Sequence, residues 1–150
     1  MGAVAARREI HDAILEAAPE GAIEFFHGYT FSAHPAACAA ALAALEIYER
    51  ERLFERAAQM SATFLDRIME LRNLPVVTDV RGYGMLAGID IAPAAVAGAR
   101  GHEIQKRLFD AGLHVKATGD AIILAPAFVC ESAQIDELCD VLRTVMGRYS

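Results

Sequence analysis

Phe25-Phe26-His27-Gly28-Tyr29-Thr30-Phe31-Ser32-Ala33-His34-Pro35-Ala36 is the stretch on which the chain turns. It is a polar, glycine-containing segment that runs straight into a long alanine-rich helix. Gly28 admits backbone angles that other residues avoid. Thr30 and Ser32 offer hydroxyls, and hydroxyls beside exposed N–H groups are a common way to hold a phosphate. Pro35 suits a first helical turn, where its missing N–H would be unpaired anyway. Two readings stand side by side. The loop holds a ligand at a helix start, or Ser32 or His34 simply caps the helix while Tyr29 and Phe31 pack.

Downstream, a long helical region is expected over residues 35–72. From Ala36 to Tyr48 it is almost wholly small and apolar, which calls for burial or an interface. Leu53, Ala57, Met60, Phe64, Ile68 and Leu71 then form one stripe with charges between them. Glu49-Arg50-Glu51-Arg52 marks a bend or break, and Asn73-Leu74-Pro75 stops the helix. Residues 76–91 read as two strands turned at Arg81-Gly82-Tyr83-Gly84. That Gly-Tyr-Gly is not a dinucleotide loop, since no helix follows it directly. A helix is predicted over 101–111 with Ile104, Leu108 and Phe109 inward and Gly112 as its stop. Leu113–Ala117 and Ala121–Ala125 are short strands around Thr118-Gly119-Asp120. The last helix, 132–147, carries Ile135, Leu138, Cys139, Leu142, Val145 and Met146 on one face, with Ser132 as N-cap. The order after residue 75 is β-β-α-β-β-α, which describes a small sheet with helices packed on one face, an α+β arrangement.

Upstream, residues 2–6 are weakly strand-like. Ile10, Ala13, Ile14 and Ala17 predict a short amphipathic helix over 7–17, broken by Pro19-Glu20-Gly21. Met1-Gly2-Ala3-Val4 has no turn or cap before it, as if cut from a longer chain. The 150 residues fit one domain, or one domain with an extension, and 55% of them are apolar, which argues for a folded globule. A net charge of −6, scattered over helices, disfavours nucleic acid and anionic membrane as partners. Cys38, Cys130 and Cys139 are odd in number and contain no C-x-x-C, so free thiols are expected. His27 and His34 lack acidic or thiol companions, so no metal site is expected. No secretory core or membrane-length apolar run is visible, and a cytoplasmic location is the expectation.

Gly28-Tyr29-Thr30-Phe31-Ser32-Ala33-His34-Pro35 resembles the G-[YF]-T-[YF]-S-[GA]-H-P motif of class III (omega) aminotransferases, which use pyridoxal 5′-phosphate. Ala33 makes it most like their beta-alanine–pyruvate branch. The resemblance runs from Met1 to about Tyr149. It implies the C-terminal region of a fold-type I pyridoxal-phosphate transferase, with its small sheet and one-sided helices preceded by a long helix. Residues 1–34 would end the large cofactor-binding domain, 35–74 would be a connecting helical region, and 75–150 would be the small domain. It also implies a homodimer in which Gly28, Tyr29 and Thr30 serve the neighbouring subunit. Thr30 would bind that neighbour's cofactor phosphate, and Tyr29 would line its substrate site. The parent reaction would move an amino group between an omega-amino acid or amine and pyruvate.

Pyridoxal phosphate chemistry needs a lysine, an aspartate near the pyridine nitrogen and a phosphate cradle. Lys106 and Lys116 are the two lysines of the sequence. Neither falls where the family places its Schiff-base lysine, which lies just upstream of a P-M-G-A-V segment. The resemblance therefore implies that the catalytic lysine precedes Met1, that this stretch carries no catalytic residue, and that it holds no cofactor alone. Lys106 reads as a surface residue of an amphipathic helix. Lys116 stands where the family usually has an arginine for the substrate carboxylate, in a segment like V-R-x-x-G-D. Here that segment is Val115-Lys116-Ala117-Thr118-Gly119-Asp120. Lysine keeps the charge and loses the planar fork, so weaker or altered carboxylate selection is expected. The competing reading is an exposed strand lysine. Two other accounts of the chain also stand. It is a non-catalytic module that self-associates or pairs with a separately encoded N-terminal half, or it is an unrelated α+β binding domain.

Overall fold

The computed structural model describes residues 2–22 and 30–149. Gly28 and Tyr29, with the rest of residues 23–29, lie outside the described residues. Two compact units divide the chain, residues 1–50 and residues 51–150.

The first unit is helical. Residues 2–7 form no strand, contrary to the expectation for 2–6. A strand needs a partner for its ladder, and this short run is given none. Helix α1 spans Arg8–Glu16, and α2 spans Pro35–Arg50 with Pro35 as its first residue, as the proline's fixed φ favours. Neither helix contains a buried residue. Leu42 and Leu45 on α2 are 63% and 60% exposed.

The second unit opens at the break expected from the charged 49–52 patch. Arg52 sits at φ 51°, ahead of helix α3, Leu53–Met69. The helical region 35–72 is thus two helices, followed by a 3₁₀ turn at Glu70–Asn73. Strands β1, Val77–Tyr83, and β2, Leu86–Ile91, pair antiparallel. Helix α4 is Ala99–Asp110, β3 is Lys116–Thr118, β4 is Ala121–Leu124, and α5 is Ser132–Met146. The sheet order is β1-β2-β4-β3, antiparallel throughout. It is a small α/β domain with helices on one face of a four-stranded sheet.

Register explains the layering. Val80, Ile89 and Ile122 face one another across three strands and are buried. They meet Phe64 and Ile68 of α3, Ile104 and Leu108 of α4, and Ile135 and Leu142 of α5, all fully buried. Each such side chain contributes roughly 1.5–3 kcal/mol by leaving water. The residues between them in sequence point to the other face, because successive strand side chains alternate. That open face carries two rows. One is Arg81, Gly88, Ile123 and Lys116; the other is Asp79, Asp90, Ala121 and Thr118.

Four local expectations are corrected. The β1–β2 turn is Gly84-Met85, with Gly84 at φ +59°; Gly82 stays in the strand, where a Cβ would collide with Leu65 and the Leu86 carbonyl. Phe109 points outward at 63% exposure and stacks edge-on against His114, because it lies one step around the helix from the Ile104–Leu108 stripe. Strand β3 is shorter than 113–117, since Leu113 is drawn back to the end of α4, its N–H donating to the Leu108 carbonyl at 2.8 Å. That bond, with Gly112 N–H to the Phe109 carbonyl at 3.0 Å, forms the two-bond helix stop expected of Gly112. Finally, Glu131 and not Ser132 is the N-cap of α5. Its backbone N–H donates to the Gln134 side chain at 2.9 Å.

Candidate functional site

Thr30 lies exposed in the turn of residues 30–33 that leads into α2. Ala33, at φ 57°, takes a left-handed backbone conformation before His34 and Pro35. For a residue with a Cβ that costs about 1–2 kcal/mol, and such strain tends to persist where a loop is held for a purpose. The His34 carbonyl accepts the Cys38 N–H at 2.9 Å as the helix begins. Thr30 thus lies in the turn shortly ahead of the helix that starts at Pro35. Gly28 and Tyr29, its predicted companions, are not among the described residues.

Lys116 sits in the second unit, at the first position of edge strand β3, exposed on the open sheet face. Arg81 lies in the same cross-strand row, and the two cations differ sharply in partners. Arg81 donates through Nη1 to Asp90 at 2.6 Å and to Asp79 at 3.0 Å, and through Nη2 to Asp90 at 3.0 Å. Those hydrogen bonds, Asp90 first, raise its pKa further above the arginine norm. Lys116 has no acidic partner among the described residues. It stands on the rim of a groove of about 830 Å³ that also takes in His114, Gln134, Leu138 and Val141. A second groove of about 790 Å³ between α4 and α5 is lined by Asp110, Asp136, Asp140 and Arg107 and contains no predicted site residue.

Sequence reasoning missed the residue that organises this corner. Asp120 follows Gly119 in the β3–β4 turn, and its carboxylate accepts the Gly98 N–H at 2.7 Å and the Gly101 N–H at 3.0 Å. It caps α4 from a different element, satisfying N–H groups that the first helical turn leaves open. These bonds, Gly98 first, hold its pKa below the usual aspartate value. A carboxylate favoured in the folded state adds stability above its unfolded pKa and loses it as pH falls toward the lowered one. The gap in urea midpoint between the wild type and Asp120→Asn is therefore expected at pH 7 and closes below about pH 4. A gap that persists unchanged at pH 3 would count against the cap.

The described residues fit pyridoxal phosphate only in part. Thr30 suits a phosphate, while both lysines are exposed. A lysine that carries a cofactor covalently is normally activated by burial or by a neighbouring cation. Nothing in the described residues supplies that setting. Among the described residues, no group of His, Cys, Asp and Glu is placed to hold a metal ion, and no helix is long and apolar enough to cross a membrane.

The family description Aminotransferase class-III matches residues 1–146, and the chain belongs to that family. It is 44% identical over 148 residues to an omega-aminotransferase of Caulobacter vibrioides, covering 98% of this chain and 34% of that protein. It is 39% identical to a beta-alanine–pyruvate aminotransferase of Pseudomonas aeruginosa, covering 95% and 32%. The chain thus spans about a third of the length of the curated relatives it matches. Among solved structures it is similar to an omega transaminase from Pseudomonas jessenii in complex with PMP, with a TM-score of 0.73 at 29% identity, covering 81% of this chain and 28% of that one. A thermostable six-fold mutant of a Pseudomonas jessenii omega transaminase matches with a TM-score of 0.73 at 28% identity, covering 83% and 29%.

Proposed function

We propose that these residues are the C-terminal part of an aminotransferase that moves an amino group between an omega-amino acid or amine and pyruvate. Residues 1–34 would close its large domain and 35–74 would connect. Residues 75–150 would form the small domain, to which α3 lends Phe64 and Ile68. The observation that carries the substrate side is Lys116 on the open sheet face, which has no acidic partner among the described residues. Arg81 is already committed to two aspartates, so Lys116 is the cation of that row left for a ligand carboxylate. Thr30, with Gly28 and Tyr29, would serve the phosphate and substrate site of a partner subunit in a homodimer. The relative named for beta-alanine and pyruvate supports that choice of substrates. When bound, pyridoxal phosphate would supply the electron sink for amino transfer. The chain's own share is to hold a phosphate at Thr30 and a carboxylate at Lys116. A reducing, cytoplasmic setting suits Cys38, Cys130 and Cys139, which are free thiols.

With both lysines exposed, the pure 150-residue chain is expected to form no alanine from beta-alanine and pyruvate in the presence of pyridoxal phosphate. Turnover that survives repurification and is lost with Lys106→Ala or Lys116→Ala would overturn this.

A second reading draws on α2, whose Leu42 and Leu45 lie uncovered. In it the chain is a non-catalytic module that self-associates or pairs with a separately encoded N-terminal half. Light scattering decides whether it self-associates: a concentration-independent monomer removes that form of the reading.

A further inference from the structure

Lys116 stands on a three-residue edge strand that pairs with β4 alone. Three residues of ladder on one side are a weak hold for a residue meant to meet a ligand. What fixes the strand is therefore a question about its two ends, and both ends are tied to the same helix. Before Lys116, the Gln105 side chain of α4 donates through Nε2 to the Val115 carbonyl at 2.9 Å. After it, Asp120 accepts the two N–H groups at the start of α4. The Asp120 carbonyl also accepts the Ile91 N–H at 2.9 Å, which joins the turn to β2. Gly101 completes the arrangement. Its missing Cβ leaves room for the Gly119 carbonyl to lie against the helix. The helix is itself anchored by Ile104 and Leu108 in the core.

We infer that Gln105 and Asp120 are positioning residues, through which α4 holds β3 from both sides and sets the place of Lys116 on the sheet face. This rests on the reading of Lys116 as a carboxylate-binding residue. Each acts through the strand, and Gln105 also lines the groove on whose rim Lys116 stands. The carboxylate at 120 is required because it faces two donors at once. An asparagine there turns an N–H₂ group toward one of them. At 105 a methionine keeps the length and the helix preference and removes the donor.

The test uses the 150-residue chain, with nuclear magnetic resonance reading amide exchange and the Lys116 side chain, and pyruvate as the carboxylate probe. In Asp120→Asn and in Gln105→Met, amides of residues 116–118 are expected to exchange at least about tenfold faster, while Val80 and Ile89 keep their rates. The pyruvate-induced shift of the Lys116 side chain falls at least about threefold in both variants. If Asp120→Asn does not fold, Gln105→Met carries the same comparison. Unchanged exchange at 116–118 in a folded variant overturns the anchoring. Faster exchange with an undiminished pyruvate response overturns the positioning role. A wild type whose Lys116 ignores pyruvate, with exchange still accelerated in the variants, overturns the carboxylate reading and leaves the anchoring supported.

Discussion

Gly101→Ala is expected to destabilise the second unit by about 2–3 kcal/mol, the upper part of the range for forcing an extra methyl into a packed site. A Cβ at residue 101 would run into the Gly119 carbonyl and crowd the Asp120 Cα. These are backbone atoms, so no rotamer change relieves the clash. The helix start or the β3–β4 turn has to move, and either movement stretches the bonds from Gly98 and Gly101 to Asp120. For a unit of 100 residues the loss corresponds to a melting temperature lower by about 10 °C or more. Gly98→Ala is a useful contrast. Its penalty comes from φ +78°, with only ordinary contacts around the added methyl, and it should be milder. Urea or thermal unfolding followed by circular dichroism gives both numbers. Equal losses in the two variants would show that the close approach at Gly101 is not what matters.

The second large effect concerns Lys116, and it needs a working enzyme around it. The matching third of the Caulobacter vibrioides omega-aminotransferase can be replaced by this chain. In that background Lys116→Ala should lower kcat/KM for pyruvate by about 10- to 100-fold, from the loss of a charged hydrogen bond worth about 1.5–3 kcal/mol. An amino donor without a carboxylate should lose far less. Lys116→Arg should raise kcat/KM for carboxylate substrates, since the planar fork binds both carboxylate oxygens at once. A uniform loss across carboxylate and non-carboxylate substrates would place the effect in folding and not in recognition.

The parts of the fold legible in the sequence are those set by near neighbours. The Ile104–Leu108 and Ile135–Leu142 stripes, the helix stop at Gly112 and the break at 49–52 follow from spacing of three or four residues, or from a local run of charge. The order of two hairpins around a helix followed from the same local signals. What escaped was set at a distance. Asp120 caps α4 from 19 and 22 residues away, and a turn aspartate looks the same whether it serves its own turn or a distant helix. Gly82 reads as a turn residue in the sequence, whereas the backbone carbonyl of Leu86, brought close by strand pairing, explains why a glycine is needed there. Residues 2–6 have strand-like composition and no ladder, because propensity without a pairing edge does not make a strand. Of the candidate site, Lys116 was legible as a position and Arg81 was not legible as its contrast. Only the register of four strands puts the paired arginine and the unpaired lysine in one row. Thr30 was legible as a hydroxyl at a helix start, and the fold adds the left-handed Ala33 beside it.

The graft tests most directly whether these residues are the C-terminal working part of a class III aminotransferase. The measurement is alanine formation from pyruvate and an amino donor by the Caulobacter vibrioides enzyme carrying these 150 residues. The matching third of the Pseudomonas aeruginosa beta-alanine–pyruvate aminotransferase serves as the control graft. The account predicts a folded chimera with turnover comparable to that control, and loss of cofactor retention on Thr30→Ala. A soluble, cofactor-loaded chimera with no turnover, beside an active control graft, would contradict it.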